Sequence, residues 1–167
     1  EDLEKIIIRE GHIRQELAKI ATNEDCDELI LQYQPILDLK TNRVCSFEAL
    51  ARIKSETLGL ISPLEFIPIA EKSNFIIPLG KKIIIKAFYF LNKLKELGYE
   101  TINISINIST TQLLKHDFTS SLFDMISEMN VNPQSIGIEI TESIFASDNE
   151  YINNILSRVR DAGIHIA

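Results

Sequence analysis

The stretch that most constrains this chain is Phe47–Arg52, where two charged residues interrupt an apolar run typical of a β-strand. Glu48 and Arg52 are two strand repeats apart, so a strand directs both side chains to the same face. Charged residues are rarely buried unless they pair, bind a metal or serve a function. The sequence therefore predicts a functional site on one face of this strand.

Two later runs also direct polar side chains to one face of a predicted strand. Residues 101–109 alternate isoleucine with asparagine or serine, and residues 136–141 alternate isoleucine with Gly137, Glu139 and Thr141. The polar members of the first run are Asn103, Ser105, Asn107 and Ser109. Three strands that present polar groups on one face predict a shared site.

Strand-like and helix-like segments alternate at the spacing of βα units, which predicts an α/β fold with parallel strands. The predicted helices cover residues 2–21, a segment opening at Ser62-Pro63, 81–97, 122–129 and 148–162. The predicted strands cover 28–39, 44–53, 101–109, 136–141 and 164–167. The first of these contains Pro35, which lacks a ladder donor and is expected to end or bulge the strand.

The polar strand faces favour a barrel over an open doubly wound sheet. Helices cover both faces of a doubly wound sheet, so its strands are almost entirely apolar, whereas a barrel lumen accepts Asn, Ser and Glu. In a (βα) barrel the chemistry lies at the carboxyl ends of the strands. Such a barrel takes about 250 residues, so this chain is expected to hold only part of one.

Composition limits the classes of partner and compartment. A net charge of −7 argues against a general surface for nucleic acid polymers. No apolar run approaches the roughly 20 residues that span a bilayer. Cys26 and Cys45 match no metal or redox spacing and suit a reducing cytoplasm, although the parent protein could be tethered to a membrane through other regions. The chain starts at Glu1, and we expect it to be a piece of a longer polypeptide, with a helix or linker at 1–28 and the barrel portion at 29–167.

Glu48, Asn107 and Glu139 are the candidate metal ligands. Two carboxylates and one amide oxygen are hard donors that suit Mg²⁺, Mn²⁺ or Ca²⁺. The alternative is that backbone groups or a basic partner satisfy each side chain separately. Arg52 could pair with Glu48, or it could bind a phosphate with its planar guanidinium.

From about residue 30 onward, the sequence resembles the EAL domain, the bacterial cyclic di-GMP phosphodiesterase. The motifs that carry the resemblance occur in the order and spacing of that family. They are Tyr33-Gln34-Pro35-Ile36, Glu48-Ala49-Leu50-Ala51-Arg52, Pro63 to Glu71, Asn107-Ile108-Ser109 with Gln112, and Glu139-Ile140-Thr141-Glu142-Ser143. Each motif is weak alone, but the set is highly specific.

The resemblance implies a TIM-like barrel with one antiparallel strand and hydrolysis of cyclic di-GMP to linear pGpG. It also implies a site for two Mg²⁺ or Mn²⁺ ions. By motif position, the implied metal ligands are Glu48, Asn107 and Glu139; the implied substrate contacts are Gln34, Leu50 and Arg52; and Glu142 anchors the loop that follows its strand.

The family's Asp-Asp motif, its catalytic lysine and a later glutamate are not among these 167 residues. We therefore expect the chain alone to be inactive, with no catalytic residue beyond the metal ligands. An uncovered sheet edge implies that it associates, exchanges elements with another copy, or belongs to a longer chain. The expected partners of the parent are cyclic di-GMP, a second copy of itself, and an upstream sensory or diguanylate cyclase-like domain. Two alternatives stay open: a degenerate EAL domain that binds the nucleotide or a protein without turnover, and a scaffold that dimerises through its N-terminal helix.

Overall fold

The computed structural model describes residues 2–24, 27–140, 144 and 149–167. The helices that lie wholly within these residues are α1 (Asp2–Thr22), α2 (Pro63–Lys72), α3 (Ile76–Glu96), α4 (Thr110–Leu113), α5 (Phe118–Glu128) and α6 (Glu150–Asp161), with a 3₁₀ turn at Pro133–Ser135. The strands are β1 (Leu29–Asp38), β2 (Arg43–Ser55), β3 (Gly59–Ile61), β4 (Asn103–Asn107), β5 (Ile136–Glu139) and β6 (His165–Ile166).

The strands form one mixed sheet. Their order is β1-β2-β4-β5-β6, and β3 pairs with β2 beside this path. The pairs β2–β4, β4–β5 and β5–β6 are parallel, whereas β2–β3 is antiparallel. Helices separate the parallel strands along the chain, which confirms the predicted α/β class.

Local signals in the sequence set several element ends as predicted. Ser62 caps α2 by accepting a hydrogen bond from the Leu64 N–H, and Pro63 opens the helix. Ser109 and Gln112 form the predicted capping box at the start of α4. These signals act within a few residues of chain, so they are readable without tertiary information.

Several features differ from the sequence-based expectation, among them the start of α5, which is Phe118 rather than residue 122. Helix α3 begins at Ile76 rather than Lys81, because Pro78 lies in the first turn, where a backbone N–H is not needed. Strand β1 does not end at Pro35 but continues to Asp38. It is the terminal strand in the sheet order, and an edge strand tolerates a missing donor. The short strand β3 was not predicted.

By its contacts the chain divides into two compact units. The first comprises Glu1–Gln32 and Ala51–Ile83. In this unit α1 packs against α2, and its core includes Ile13, Leu17, Ile20, Leu29, Ile53, Ile61 and Phe66. The predicted division into a linker at 1–28 and a barrel portion at 29–167 stays a prediction.

The second unit comprises Tyr33–Leu50 and Ile84–Ala167. Its core is built on the isoleucine faces of β4 and β5. The most deeply buried members include Ala87, Phe88, Ile104, Ile106, Leu122, Ile136, Ile138 and Val159. Because the isoleucines of β4 and β5 face this core, the alternating polar residues lie on the opposite face of each strand.

Among the residues that the structure describes, no helix is both long and apolar enough to cross a membrane.

Two glycines are expected to respond to alanine with opposite signs. Gly98 has φ +90° at the C-terminus of α3, where the Tyr99 N–H donates to the Leu94 carbonyl. Gly98→Ala should lower the free energy of unfolding by about 1–2 kcal/mol, because a side chain is strained in this region.

Gly11 lies inside α1, and the space that a Cβ would occupy has no other atom within 4 Å. Gly11→Ala should therefore raise the free energy of unfolding by about 1 kcal/mol. Urea denaturation measures both changes; a loss of stability in Gly11→Ala would contradict the described environment of α1.

Candidate metal-binding site

Strand register brings the three predicted ligands onto neighbouring positions of β2, β4 and β5. Glu48 pairs with Ser105 across β2 and β4, and Ser105 pairs in turn with Gly137 across β4 and β5. One strand repeat further along, Asn107 pairs directly with Glu139. Residues in register on adjacent strands have Cβ atoms about 5 Å apart. The side chains of Glu48, Asn107 and Glu139 therefore surround one small area at the carboxyl ends of β4 and β5.

Asn107 and Glu48 are in direct contact. The Nδ2 atom of Asn107 donates a hydrogen bond of 2.9 Å to Oε1 of Glu48. Asn107 is exposed, while Glu48 and Glu139 are half-buried. Because Nδ2 is engaged with Glu48, Oδ1 is the atom through which the Asn107 amide would coordinate a cation.

The site disfavours the ionised form of the Glu139 carboxylate. Burial raises the pKa of Glu139 above its ordinary value, and the negative charge of Glu48 raises it further. A hydrogen bond from Ser105 opposes this rise in pKa by favouring the charged form. Two carboxylates close together beside an amide oxygen form a set whose charge a divalent cation would neutralise, so the donors fit Mg²⁺ or Mn²⁺.

The described residues contain no cluster of three His, Cys, Asp or Glu side chains able to hold a metal. The set Glu48, Asn107 and Glu139 contributes two carboxylates and one amide oxygen. These three residues would therefore supply only part of a coordination shell, which water, substrate or further protein ligands would complete.

Ser105 and Gly137 lie in register with Glu48, and no role was predicted for either residue from the sequence. An added Cβ at Gly137 would lie 2.9 Å from the Ser105 hydroxyl oxygen, closer than real contacts allow. Gly137 thus leaves room for the Ser105 side chain to lean towards β5, the strand that carries Glu139. The polar alternation of β4 pointed to Ser105, but only the cross-strand register reveals its neighbour at Gly137.

The residues predicted to contact substrate occupy different places. Gln34 is exposed on β1 and Leu50 is half-buried on β2, both in the second unit. Arg52 is half-buried on β2 in the first unit, and its Nη1 donates to the Ala51 carbonyl at 2.8 Å. Glu142 lies outside the described residues. The roles of all four residues stay predictions.

Tyr33 fixes β1 next to Gln34. Its ring stacks on Phe90 of α3 with ring centroids 3.6 Å apart, and its hydroxyl donates to the Lys86 carbonyl at 3.3 Å. Burial raises the pKa of Tyr33 to about 12. Since successive strand residues face opposite sides, burying Tyr33 leaves Gln34 on the exposed side of β1.

Comparison with known proteins shows the family to which this chain belongs. The EAL domain family matches residues 18–167. The chain belongs to the EAL domain family. The cyclic di-GMP phosphodiesterase PdeR of Escherichia coli strain K12 is 31% identical over 140 residues. That alignment covers 84% of this chain and 21% of the relative, so the chain spans about a fifth of that EAL protein's length.

Solved EAL structures share the fold. A structure of the EAL enzyme Bd1971 with cAMP and cyclic di-GMP bound superposes with a TM-score of 0.82 at 32% identity, covering 99% of this chain and 44% of that one. The MucR phosphodiesterase in complex with cyclic di-GMP gives 0.84 at 26% identity, covering 91% of this chain and 62% of that one. These likenesses confirm the predicted fold class, a part of the TIM-like EAL barrel.

Replacing Glu48 with glutamine should lower the pKa of Glu139 towards its ordinary value. The substitution removes the like charge but keeps an oxygen that can accept from Asn107. Carboxyl-carbon NMR titration of the metal-free chain measures the change, with Glu128→Gln on the exposed surface of α5 as the control. An unchanged Glu139 titration in Glu48→Gln would show that the two carboxylates do not interact.

The raised pKa of Glu139 also makes the stability of the metal-free chain depend on pH. The charged form of Glu139 is disfavoured in the folded state, so metal-free stability should fall as pH rises from the ordinary glutamate pKa through the raised value. In Glu139→Gln this part of the fall should disappear, as urea denaturation across that pH range would reveal. A pH profile unaltered by the substitution would contradict the assignment.

Proposed function

We propose that the protein from which this chain derives hydrolyses one phosphodiester bond of cyclic di-GMP to give linear pGpG. The observation that carries the proposal is the convergence of Glu48, Asn107 and Glu139 on one polar strand face. Family membership supports it, because the similar PdeR is named as a cyclic di-GMP phosphodiesterase. The similar MucR phosphodiesterase is solved as a complex with that nucleotide.

In this proposal Glu48, Asn107 and Glu139 hold part of a site for two Mg²⁺ or Mn²⁺ ions. Such ions stabilise negative charge on phosphate oxygens and make water a stronger nucleophile. The carboxylates of Glu48 and Glu139 supply the negative charge that binds the cations. The Asn107 amide holds Glu48 in place through Nδ2 while it offers Oδ1 as a neutral ligand.

Substrate recognition is assigned to Gln34, Leu50 and Arg52. Cyclic di-GMP carries two phosphate charges, and a chain of net charge −7 repels it overall. A guanidinium at Arg52 and divalent cations beside Glu48 and Glu139 reverse that repulsion locally, since arginine binds phosphate in a bidentate manner. Glu142 is proposed to anchor the loop after β5.

For the 167 residues by themselves we propose binding without turnover. The resemblance assigns the remaining metal ligands and the catalytic lysine to positions beyond those in this chain. We further propose a cytoplasmic parent that dimerises and carries an upstream sensory or cyclase-like domain, consistent with a relative about five times as long as the match.

Arg52→Ala should weaken binding of cyclic di-GMP by about 10- to 100-fold, because a hydrogen bond to a charged group contributes about 1.5–3 kcal/mol. Calorimetric titration in the presence of Ca²⁺ measures the affinity. Arg43→Ala is the matched control, since Arg43 is exposed at the start of the same strand. Equal losses in both variants would indicate general electrostatic attraction instead of recognition by Arg52.

Incubation of the 167-residue chain with cyclic di-GMP and Mn²⁺, followed by chromatography for pGpG, tests the absence of turnover. We expect nucleotide binding and no product. Product formation would contradict the proposal that the missing residues are required. Failure to bind the nucleotide under any metal condition would contradict the assignment of Gln34, Leu50 and Arg52.

A further inference from the structure

A side chain outside the proposed ligand set lies at the centre of the polar strand face. Ser105 on β4 is in register with Glu48 on β2 and with Gly137 on β5. The ligands Asn107 and Glu139 lie one strand repeat further towards the carboxyl ends. Ser105 therefore lies beside Glu48 and one strand repeat before Asn107 and Glu139, where its hydroxyl can orient one of these groups.

The direction in which the Ser105 hydroxyl leans is set by Gly137. Its oxygen lies 2.9 Å from the position that a Cβ on residue 137 would occupy. The next nearest atoms to that position, the Ile104 carbonyl oxygen and the Ser105 Cα, are at 3.6 Å, an ordinary contact distance. Among the three nearest atoms, the hydroxyl oxygen is thus the one with which a Cβ would clash. Glycine avoids this clash because it has no Cβ.

From this geometry we infer that Ser105 is a positioning residue that holds the Glu139 carboxylate for metal binding, and that Gly137 admits its hydroxyl. Glu139 occupies the next position on the same face of β5 as Gly137, so a hydroxyl that leans over Gly137 can donate a hydrogen bond to the Glu139 carboxylate. Fixing a ligating carboxylate through a hydrogen bond restricts its rotation before the ion arrives. The inference rests on the proposed metal site and adds Ser105 and Gly137 to it.

Removing the hydroxyl should weaken the site without disturbing the fold. In Ser105→Ala we expect Mn²⁺ affinity to fall by about tenfold, the lower end of the effect of losing a group that orients a metal ligand. Electron paramagnetic resonance of free Mn²⁺ measures affinity on the full 167-residue chain. Ser46→Ala is the matched control, because Ser46 lies one strand repeat before Glu48 and its hydroxyl donates to the Asn103 carbonyl. Ser46→Ala should retain wild-type affinity.

Gly137→Ala affects the position of the Ser105 hydroxyl without removing it. The added Cβ should displace the Ser105 oxygen and weaken Mn²⁺ binding about as much as Ser105→Ala. In the double variant the obstacle is gone, so its affinity should equal that of Ser105→Ala alone. Unchanged affinity in Ser105→Ala, or a double variant whose loss is the product of the two single losses, would overturn the inference.

If the wild-type chain binds no Mn²⁺, the proposed metal site itself fails, and a metal-free crystal structure then decides the role of Ser105. A Ser105 oxygen within hydrogen-bonding distance of the Glu139 carboxylate supports the positioning role. A hydroxyl turned away from Glu139 overturns it.

Discussion

The parallel register of β2, β4 and β5 is the constraint on which both the core and the candidate site depend. Ile104, Ile106, Ile136 and Ile138 are each no more than 2% exposed. Strand alternation then places Asn107 and Glu139 on the other face. A slip of one residue would bury the polar set and expose the isoleucines. Packing of the isoleucine faces therefore fixes where the candidate ligands lie.

That arrangement concentrates negative charge, and this has a cost in the metal-free protein. Burial disfavours the ionisation of Glu139, and the negative charge of Glu48 adds to the effect. The Asn107 amide offsets part of this cost through its hydrogen bond to Glu48, and the Ser105 side chain lowers the pKa of Glu139. A site that is unfavourable without a cation binds one more strongly, since the ion relieves the repulsion. The electrostatic cost is thus consistent with a cation-binding site.

The sequence predicted the parts of the structure that depend on short repeats. Alternation in residues 101–109 and 136–141 identified β4 and β5, and the parity of Asn107 and Glu139 placed both side chains on one face. Helix capping by Ser62 and Ser109 could also be predicted, because the donor and the acceptor of each capping hydrogen bond lie within a few residues of each other. The same parity, with the donor chemistry of Glu48, grouped these residues before the family motifs supported the grouping.

Features that depend on pairing between distant segments could not be predicted from the sequence. The contact between Ser105 and Gly137 exists only once β4 and β5 adopt their register, so no local pattern indicates it. The continuation of β1 through Pro35 depends on its terminal position in the sheet, which is again a tertiary property.

The central claim is that Glu48, Asn107 and Glu139 bind one divalent cation together. A crystal structure of the chain grown with Mn²⁺, with anomalous diffraction data, tests it most directly. The account predicts an anomalous peak about 2.0–2.4 Å from oxygen atoms of all three side chains, the range of Mg²⁺- and Ca²⁺-type coordination. Ordered side chains with no peak between them, or a peak bound elsewhere, would contradict it.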